Sequence, residues 1–178
     1  MRADARRNYE QLVEQAKIAF AEFGVDASLD EIARRAGVAS GTLYRHFPTR
    51  LALVEVVLAE QIAELVDLGR DLLTAEDEFD AVSTWLRATL THGLTYRGLA
   101  AAVMNSALDH SLVSNWHAEM FEVGTALLTR ARESGVIVAD ADDADVLKMV
   151  GAIAWAAQDS SVQADRLLTL LINGLRVF

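Results

Sequence analysis

Residues 40–50 bring together side chains that are well suited to nucleic-acid recognition. Their sequence, SGTLYRHFPTR, offers hydroxyl, phenol, imidazole and guanidinium groups within one short segment. Guanidinium groups bind phosphates and guanine edges, and hydroxyl groups bind phosphates and several base edges. The chemistry that this mixture predicts is therefore reversible binding to DNA, without a covalent step.

The helical spacing of these residues separates an apolar side from a polar side. At about 100° per residue, Leu43 and Phe47 face the core together. The opposite face and its flanks carry small or hydrogen-bonding groups, with Gly41, Thr42 and Arg45 on the face and Tyr44 and His46 on the flanks. A helix in a major groove needs this arrangement, because its centre meets base edges and its edges meet phosphates. The alternative is an ordinary surface helix with mixed polar residues.

A second short helix is expected to precede this one across a tight turn. Ser28 and Glu31 have the spacing of a capping box, which predicts where that helix starts. Gly37 suits the position after its end, where the backbone often has a positive φ. We expect Ser40 to cap the following helix and Pro48 to end it. Two short helices joined in this way form a helix-turn-helix, whose second helix enters the major groove.

The stretch from about residue 7 to residue 58 resembles the N-terminal domain of TetR-family (tetracycline-repressor-like) transcriptional regulators. The matching parts are AKIAFAEFG at residues 16–24 and then LDEIARRAGVASGTLYRHFPTR. The most specific part is GTLYRHF with a basic residue at position 50. Leu51 departs from the family pattern, which often has an acidic residue there.

The resemblance implies a set of DNA contacts in this head. The side chains of Tyr44, His46 and Arg50 would bind phosphates. Gly41, Thr42 and Arg45 would face bases. Ser28 would place the end of its helix against the DNA backbone. Ser40, at the start of the recognition helix, is included in the predicted DNA-binding set. The partner would be double-stranded DNA with a palindromic operator, read by two recognition helices.

The charge distribution supports such a partner once the chain is divided. The net charge is −10 over 178 residues, which alone is unusual for a DNA-binding protein. Residues 1–50 hold eight Lys or Arg and seven Asp or Glu, whereas residues 51–178 hold eight and nineteen. This asymmetry would turn the head toward a polyanion and the rest away from it. An acidic body that merely keeps the protein in solution is compatible with the same numbers.

An enzymatic role is disfavoured by what the sequence lacks. There is no Cys, which excludes disulfides and thiolate metal sites. No nucleophile elbow, glycine-rich phosphate loop or HExxH motif occurs. Asp109, His110, His117 and Glu119 form the best metal candidate, but their spacing matches no known ligand pattern. We expect no cofactor, no metal and no catalytic residue. A helical protein-interaction module without DNA binding is a further alternative.

The pattern of apolar residues predicts an all-α fold of about nine helices. The resemblance implies a helix-turn-helix DNA-binding domain at 1–49 and an effector-binding and dimerisation domain at 50–178. The helices expected outside the helix-turn-helix pair are Ala5–Phe23, Arg50–Leu73, Asp77–His92, Tyr96–Asp109, Ser114–Ser134, one from the acidic cluster at 140–143 to Gln158, and Ser161–Arg176. The N-terminus lacks the apolar region of a signal peptide and no apolar run is long enough to span a membrane, so a cytoplasmic location is expected.

The last two predicted helices suggest a homodimer. Leucines on the final helix cover roughly 200° of its surface at about 100° per residue, more than a one-sided helix requires. The helix before it is rich in Gly and Ala, which permit close approach of another helix. The predicted interface consists of Gly151, Ala154, Leu167, Leu168, Leu171 and Leu175. A helix buried between neighbours of its own chain is the alternative.

By resemblance, the middle helices would enclose a small-molecule pocket. The candidate lining residues are Trp85, His92, Tyr96, Met104, Trp116, His117, Met120 and Phe121. Aromatic rings and Met with a few polar tips suit a lipophilic, neutral or cationic effector. The alternative is that most of these residues are ordinary core or surface residues. The resemblance favours a repressor that its ligand releases from DNA, and an activator is the alternative.

Overall fold

The computed structural model describes residues 2–104, 111–157 and 160–177, and only the backbone of residues 2, 3, 97, 104 and 111–117. Within these residues the chain forms eight α-helices, one 3₁₀ turn and no strand, which confirms the all-α prediction. The helices are α1 Arg2–Phe23, α2 Leu29–Arg35, α3 Ser40–His46, α4 Arg50–Leu72, α5 Glu78–Met104, α6 Ser111–Glu133, α7 Asp143–Ala156 and α8 Ser161–Leu175, with the 3₁₀ turn at Gly24–Asp26.

Helix α5 corrects one prediction. The sequence suggested two helices with a break near Gly93, but α5 is continuous through that residue. A Cβ at Gly93 would lie 3.3 Å from the Cβ of Ala154 on α7. Glycine in a helix interior costs about 1 kcal/mol relative to alanine. Here the absence of a side chain lets α7 approach α5 closely, and that packing offsets the cost.

The helices divide into two compact units. The first consists of Met1–Gln61 and Thr95–His110, and the second of Ile62–Leu94 and Ser111–Phe178. Both α4 and α5 therefore contribute residues to each unit. The predicted domain boundary at residue 50 lies at the start of α4, ahead of this division, and it stays a prediction.

The first unit is built around α1, which packs against both α2 and α3. Its apolar positions recur at helical spacing and bury Leu12, Ala16 and Phe20. Leu43 and Phe47 of the helix-turn-helix are buried as well. The recognition segment therefore rests on a fixed apolar base.

The second unit has the indole of Trp85 at its centre. Trp85 is buried and its Nε1–H donates a hydrogen bond to the carbonyl of Leu65 on α4, at 3.1 Å. A Cβ at Gly124 on α6 would lie 2.7 Å from two ring carbons, and a Cβ at Gly69 on α4 would lie 2.7 Å from Nε1. The ring therefore fills a slot that exists because both helices carry glycine at the contact.

The segment after α6 is paired with the C-terminal residues through backbone hydrogen bonds. Ile137 forms an antiparallel bridge with Arg176. The amide of Val138 donates to the carbonyl of Leu175 at 2.8 Å, and that of Val177 to Val136 at 3.1 Å. Across the described ranges, no helix is long and apolar enough to cross a membrane.

Candidate nucleic-acid interface

The start of α2 forms much as the sequence predicts. The Oγ of Ser28 accepts a hydrogen bond from the amide of Glu31 at 3.3 Å, so Ser28 is the N-cap. In a full capping box the Glu31 side chain would also accept a hydrogen bond from the Ser28 amide. Here the Glu31 carboxylate instead accepts hydrogen bonds from Arg34 at 2.7 Å and Arg35 at 2.9 Å. Those bonds, with that of Arg34 the larger cause, lower the pKa of Glu31 from 4.5 to about 2.

The turn between α2 and α3 corrects the second predicted cap. Gly37 has the expected positive φ, +71°. The N-cap of α3 is Ala39, which makes no side-chain capping bond, and Ser40 is the first helical residue. The amide of Thr42 donates instead to the carbonyl of Ala39 at 2.8 Å. The helix thus starts one residue earlier than predicted, and a DNA contact by Ser40 stays a prediction.

Burial along α3 follows the face pattern that the sequence indicates. Leu43 and Phe47 lie in the core, whereas Gly41, Tyr44 and Arg45 are exposed. The residues between these two faces, Thr42 and His46, are half-buried. The helix therefore presents the predicted base-facing and phosphate-facing groups on a surface that a DNA groove can reach.

Arg45 is held close to its own helix. Its Nε donates to the carbonyl of Gly41 at 3.1 Å, one turn back along α3. The guanidinium consequently lies along the exposed polar face rather than extending away from it. This pose fixes part of the side chain before any DNA is bound, which reduces the conformational entropy lost on binding.

Tyr9 of α1 supports the second flank of α3. Its ring centroid lies 5.9 Å from that of His46, in an edge arrangement, and 5.2 Å from that of Phe47. Burial, followed by the charge of Glu60, raises the pKa of the Tyr9 phenol. Tyr9 is absent from the DNA-binding residues predicted from the sequence. Its contact with the recognition helix depends on a fold that spacing alone does not specify.

A groove runs between the first turns of α1 and the polar side of α3. It is lined by Asp4, Ala5 and Asn8 of α1 and by Thr42, Arg45 and His46 of α3. Sequence reasoning missed the α1 residues, although positions 4, 5 and 8 share one face at helical spacing. The groove extends the candidate interface beyond the recognition helix itself.

Arg50 has contacts that the sequence did not predict. Its Nη1 donates to the carbonyl of Val25 at 2.7 Å and to that of Ala27 at 2.5 Å. Both carbonyls precede the Ser28 cap of α2. The side chain is half-buried against the connection between α1 and α2. A phosphate contact by Arg50 stays a prediction.

The predicted effector residues occupy different environments. Trp85 lies in the core of the second unit, Met120 packs against that core, and Phe121 is exposed. His92 is half-buried in the second unit and Tyr96 is buried in the first. The remaining predicted pocket side chains, Met104, Trp116 and His117, lie outside the described residues, as do Asp109 and His110 of the metal candidate. The ligand pocket therefore stays a prediction.

The predicted dimer residues divide between the core and the surface. Ala154, Leu168 and Leu175 are buried in the core of their own chain, and a contact of these residues with a second copy stays a prediction. Most of the leucine surface of α8 faces that core, because Leu167 and Leu171 also pack against it, and Leu170 is the exposed leucine. Leu167 and Leu171 are half-buried, and Gly151 is exposed. The most exposed apolar side chains of these two helices, Trp155, Val162 and Leu170, were missing from the predicted set.

A helix-turn-helix with an exposed recognition face, followed by a helical body, defines a class of DNA-binding transcription regulators. Residues 12–57 match the family model of bacterial regulatory proteins of the tetR family, and residues 77–177 match the model described as transcriptional regulator SbtR-like, C-terminal domain. The chain belongs to the TetR family of transcriptional regulators.

Solved structures of the family agree in fold. A TetR transcriptional regulator from Streptomyces coelicolor is 35% identical, with 94% of this chain and 97% of that chain covered and a TM-score of 0.79. A TetR regulatory protein from Mycobacterium vanbaalenii is 33% identical, with 99% of both chains covered and a TM-score of 0.75.

A curated relative matches over a limited stretch. The HTH-type transcriptional regulator TtgW of Pseudomonas putida is 40% identical over 60 residues, which are 33% of this chain and 45% of that protein. The match to this relative thus spans less than half of its length.

Proposed function

We propose that the protein is a dimeric, one-component transcription regulator, acting as a repressor, that binds a palindromic operator and is released by a small lipophilic ligand. The observation that carries the proposal is the recognition face of α3. Gly41, Tyr44 and Arg45 are exposed there, while Leu43 and Phe47 fix the same helix to the core. Members of this family bind DNA through such a head, and their C-terminal domains typically bind ligands.

The second half of the proposal is a homodimer formed by α7 and α8. The side chains of Trp155, Leu170 and Val162 are 73%, 70% and 67% exposed in the single chain. Large apolar groups with that exposure on neighbouring helices indicate a surface that another protein covers. Gly151 and Ala152 are also exposed there and would permit close approach. A second copy of the chain is the occupant we propose, because a two-fold dimer presents two recognition helices to one palindrome.

Release by ligand would operate as a shift between conformations. A ligand that binds one arrangement of the body more tightly raises the population of that arrangement. Helix α4 contributes residues to both units. A change in its position would alter the spacing of the two heads and lower operator affinity. The apolar and aromatic content of α5 and α6 supports a lipophilic ligand, and release of bound DNA by a panel of such compounds would test it.

The test of DNA reading is selection of the purified protein against random duplex DNA at physiological salt, followed by sequencing. A matched control carries Tyr44→Ala and Arg45→Ala, which remove exposed groups and leave Leu43 and Phe47 in place. An enriched palindrome absent from the control supports a dimeric reader. An enriched single site points to a monomeric reader. No enrichment over the control would overturn the proposal and favour a protein-interaction module.

A further inference from the structure

Arg50 occupies a position where its charge is unfavourable. It is the first residue of α4, and the N-terminus of a helix carries a partial positive charge that disfavours cations. The helix does not need Arg50 as a cap, because the Oγ of Thr49 accepts from the amide of Ala52 at 3.1 Å. Some other interaction must therefore hold the side chain in place.

That interaction is with the connection between α1 and α2. The two hydrogen bonds from Nη1 to Val25 and Ala27 engage both hydrogens of that nitrogen. The connection is short, and Ala27 within it is buried. It contains the 3₁₀ turn, begins at Gly24 with φ +67° and closes with one bond from the Ala27 amide to the Gly24 carbonyl at 3.2 Å. Residue 28, which follows directly, is the N-cap of α2.

We propose that Arg50 is a positioning residue of the DNA interface, which fixes the Ser28 end of α2 relative to α4 through these two carbonyls, and that its contribution to operator binding does not come from a phosphate contact. The inference rests on the proposed DNA-binding function. Arginine suits the role because its rigid, planar donor group can meet two converging carbonyls with little loss of freedom per bond. Loss of these two hydrogen bonds would let the N-terminus of α2 shift, and small misplacements of a preorganised site weaken binding.

The two possible roles of Arg50 differ in their dependence on salt. A side chain that neutralises a DNA phosphate contributes about 0.9 to the slope of log affinity against log salt concentration, whereas a positioning residue contributes nothing to it. The test therefore compares wild type, Arg50→Gln and Arg50→Lys on the selected operator over a range of salt. Arg70→Gln, an exposed arginine further along α4 that pairs with Asp67, is the matched control.

We expect Arg50→Gln to bind the operator about tenfold more weakly or worse, the loss associated with hydrogen bonds to a charged donor, with the wild-type salt slope. The operator affinity of Arg50→Lys should lie between those of wild type and Arg50→Gln, and its salt slope should equal that of wild type. A slope reduced by about 0.9 in Arg50→Gln, with Arg50→Lys at wild-type affinity, would show a phosphate contact and overturn the inference. Unchanged affinity in a folded Arg50→Gln would reduce Arg50 to a purely structural role and overturn it too.

Hydrogen exchange in the free protein provides a readout independent of DNA. The amides of Ala27 and Glu31, bonded to Gly24 and to the Ser28 hydroxyl, should exchange faster in Arg50→Gln than in wild type or Arg70→Gln. Unchanged exchange at both amides would contradict the proposed positioning of the α2 N-terminus by Arg50. Failure of the wild type to bind any selected DNA would instead contradict the proposed DNA-binding function. Failure of the proposed function can therefore be distinguished from failure of the positioning role of Arg50.

Discussion

At the scale of single residues, the accuracy of sequence reasoning depends on how far apart the partners lie along the chain. The Ser28 cap is confirmed, and it could be predicted because its partner is three residues away. The cap by Ser40 is wrong by one position, since helix ends are set by backbone geometry that several neighbouring residues can satisfy. The contacts of Arg50 lie 23 and 25 residues away, and no local pattern encodes them.

The exposed groups of α3 predict two kinds of mutational effect. Arg45→Ala should relax the preference at one symmetric base pair if Arg45 reads a base, at about 1–3 kcal/mol. Tyr44→Phe should instead weaken binding to all sequences alike if the phenol donates to a phosphate, and it should leave the salt slope unchanged because the phenol carries no charge. Sequencing of the DNA selected by each variant distinguishes them, and an unchanged base profile in Arg45→Ala would remove its reading role.

Glu31 predicts a small dependence of stability on pH. Its pKa in the folded protein is lowered to about 2 from 4.5, so its contribution is fully present above pH 4.5 and is lost as the pH falls toward 2. Thermal unfolding of wild type should therefore lose Tm more steeply below pH 4.5 than that of Glu31→Gln. The difference should shrink in high salt, because the ion pairs are exposed to solvent. Parallel Tm curves at low salt would contradict this assignment.

At the scale of elements, glycine carried the least reliable signal in the sequence. The same residue type ends a helix at Gly37, where φ is positive, yet lies within continuous helices at Gly93 and Gly124. A Cβ at Gly93 or Gly124 would meet side chains of other helices, whereas one at Gly98 would meet nothing within 4 Å. Local sequence does not distinguish these cases, because they depend on tertiary packing. Long apolar periods predicted the remaining helices well, because burial of one face largely determines where a helix forms.

The slot around Trp85 predicts unequal effects of two glycine substitutions. Gly124→Ala would place its Cβ 2.7 Å from the indole ring and should destabilise the fold by about 1–3 kcal/mol. Gly98→Ala meets nothing within 4 Å on α5 and should be neutral or stabilising by about 1 kcal/mol. Urea unfolding measures both. Trp85→Phe should reduce the penalty of Gly124→Ala, and additive effects in that double variant would argue against the slot.

At the scale of the whole molecule, the proposed dimer surface was only partly predictable from the sequence. The wide apolar surface of α8 predicts that a second copy covers part of it, and that prediction stays untested; the sequence could not say which leucines face the chain's own core. Burial assigns Leu168 and Leu175 to that core and leaves Leu170 on the surface. The exposure of Trp155 could have been suspected from the sequence, because its large ring lies among Gly and Ala on α7.

The proposed interface predicts that Trp155→Glu combined with Leu170→Glu yields folded monomers. Two carboxylates placed in an apolar interface would each lose hydration without a partner, so association should fail while the single chain, whose core is untouched, stays folded. Light scattering measures the mass. Operator affinity should fall about a hundredfold or more, because linked half-sites no longer bind together. Ile18→Glu, at an exposed apolar position of α1, is the control and should remain dimeric. A double variant that still scatters as a dimer would show that the interface lies elsewhere, and a monomer with wild-type operator affinity would show that DNA reading does not require two copies.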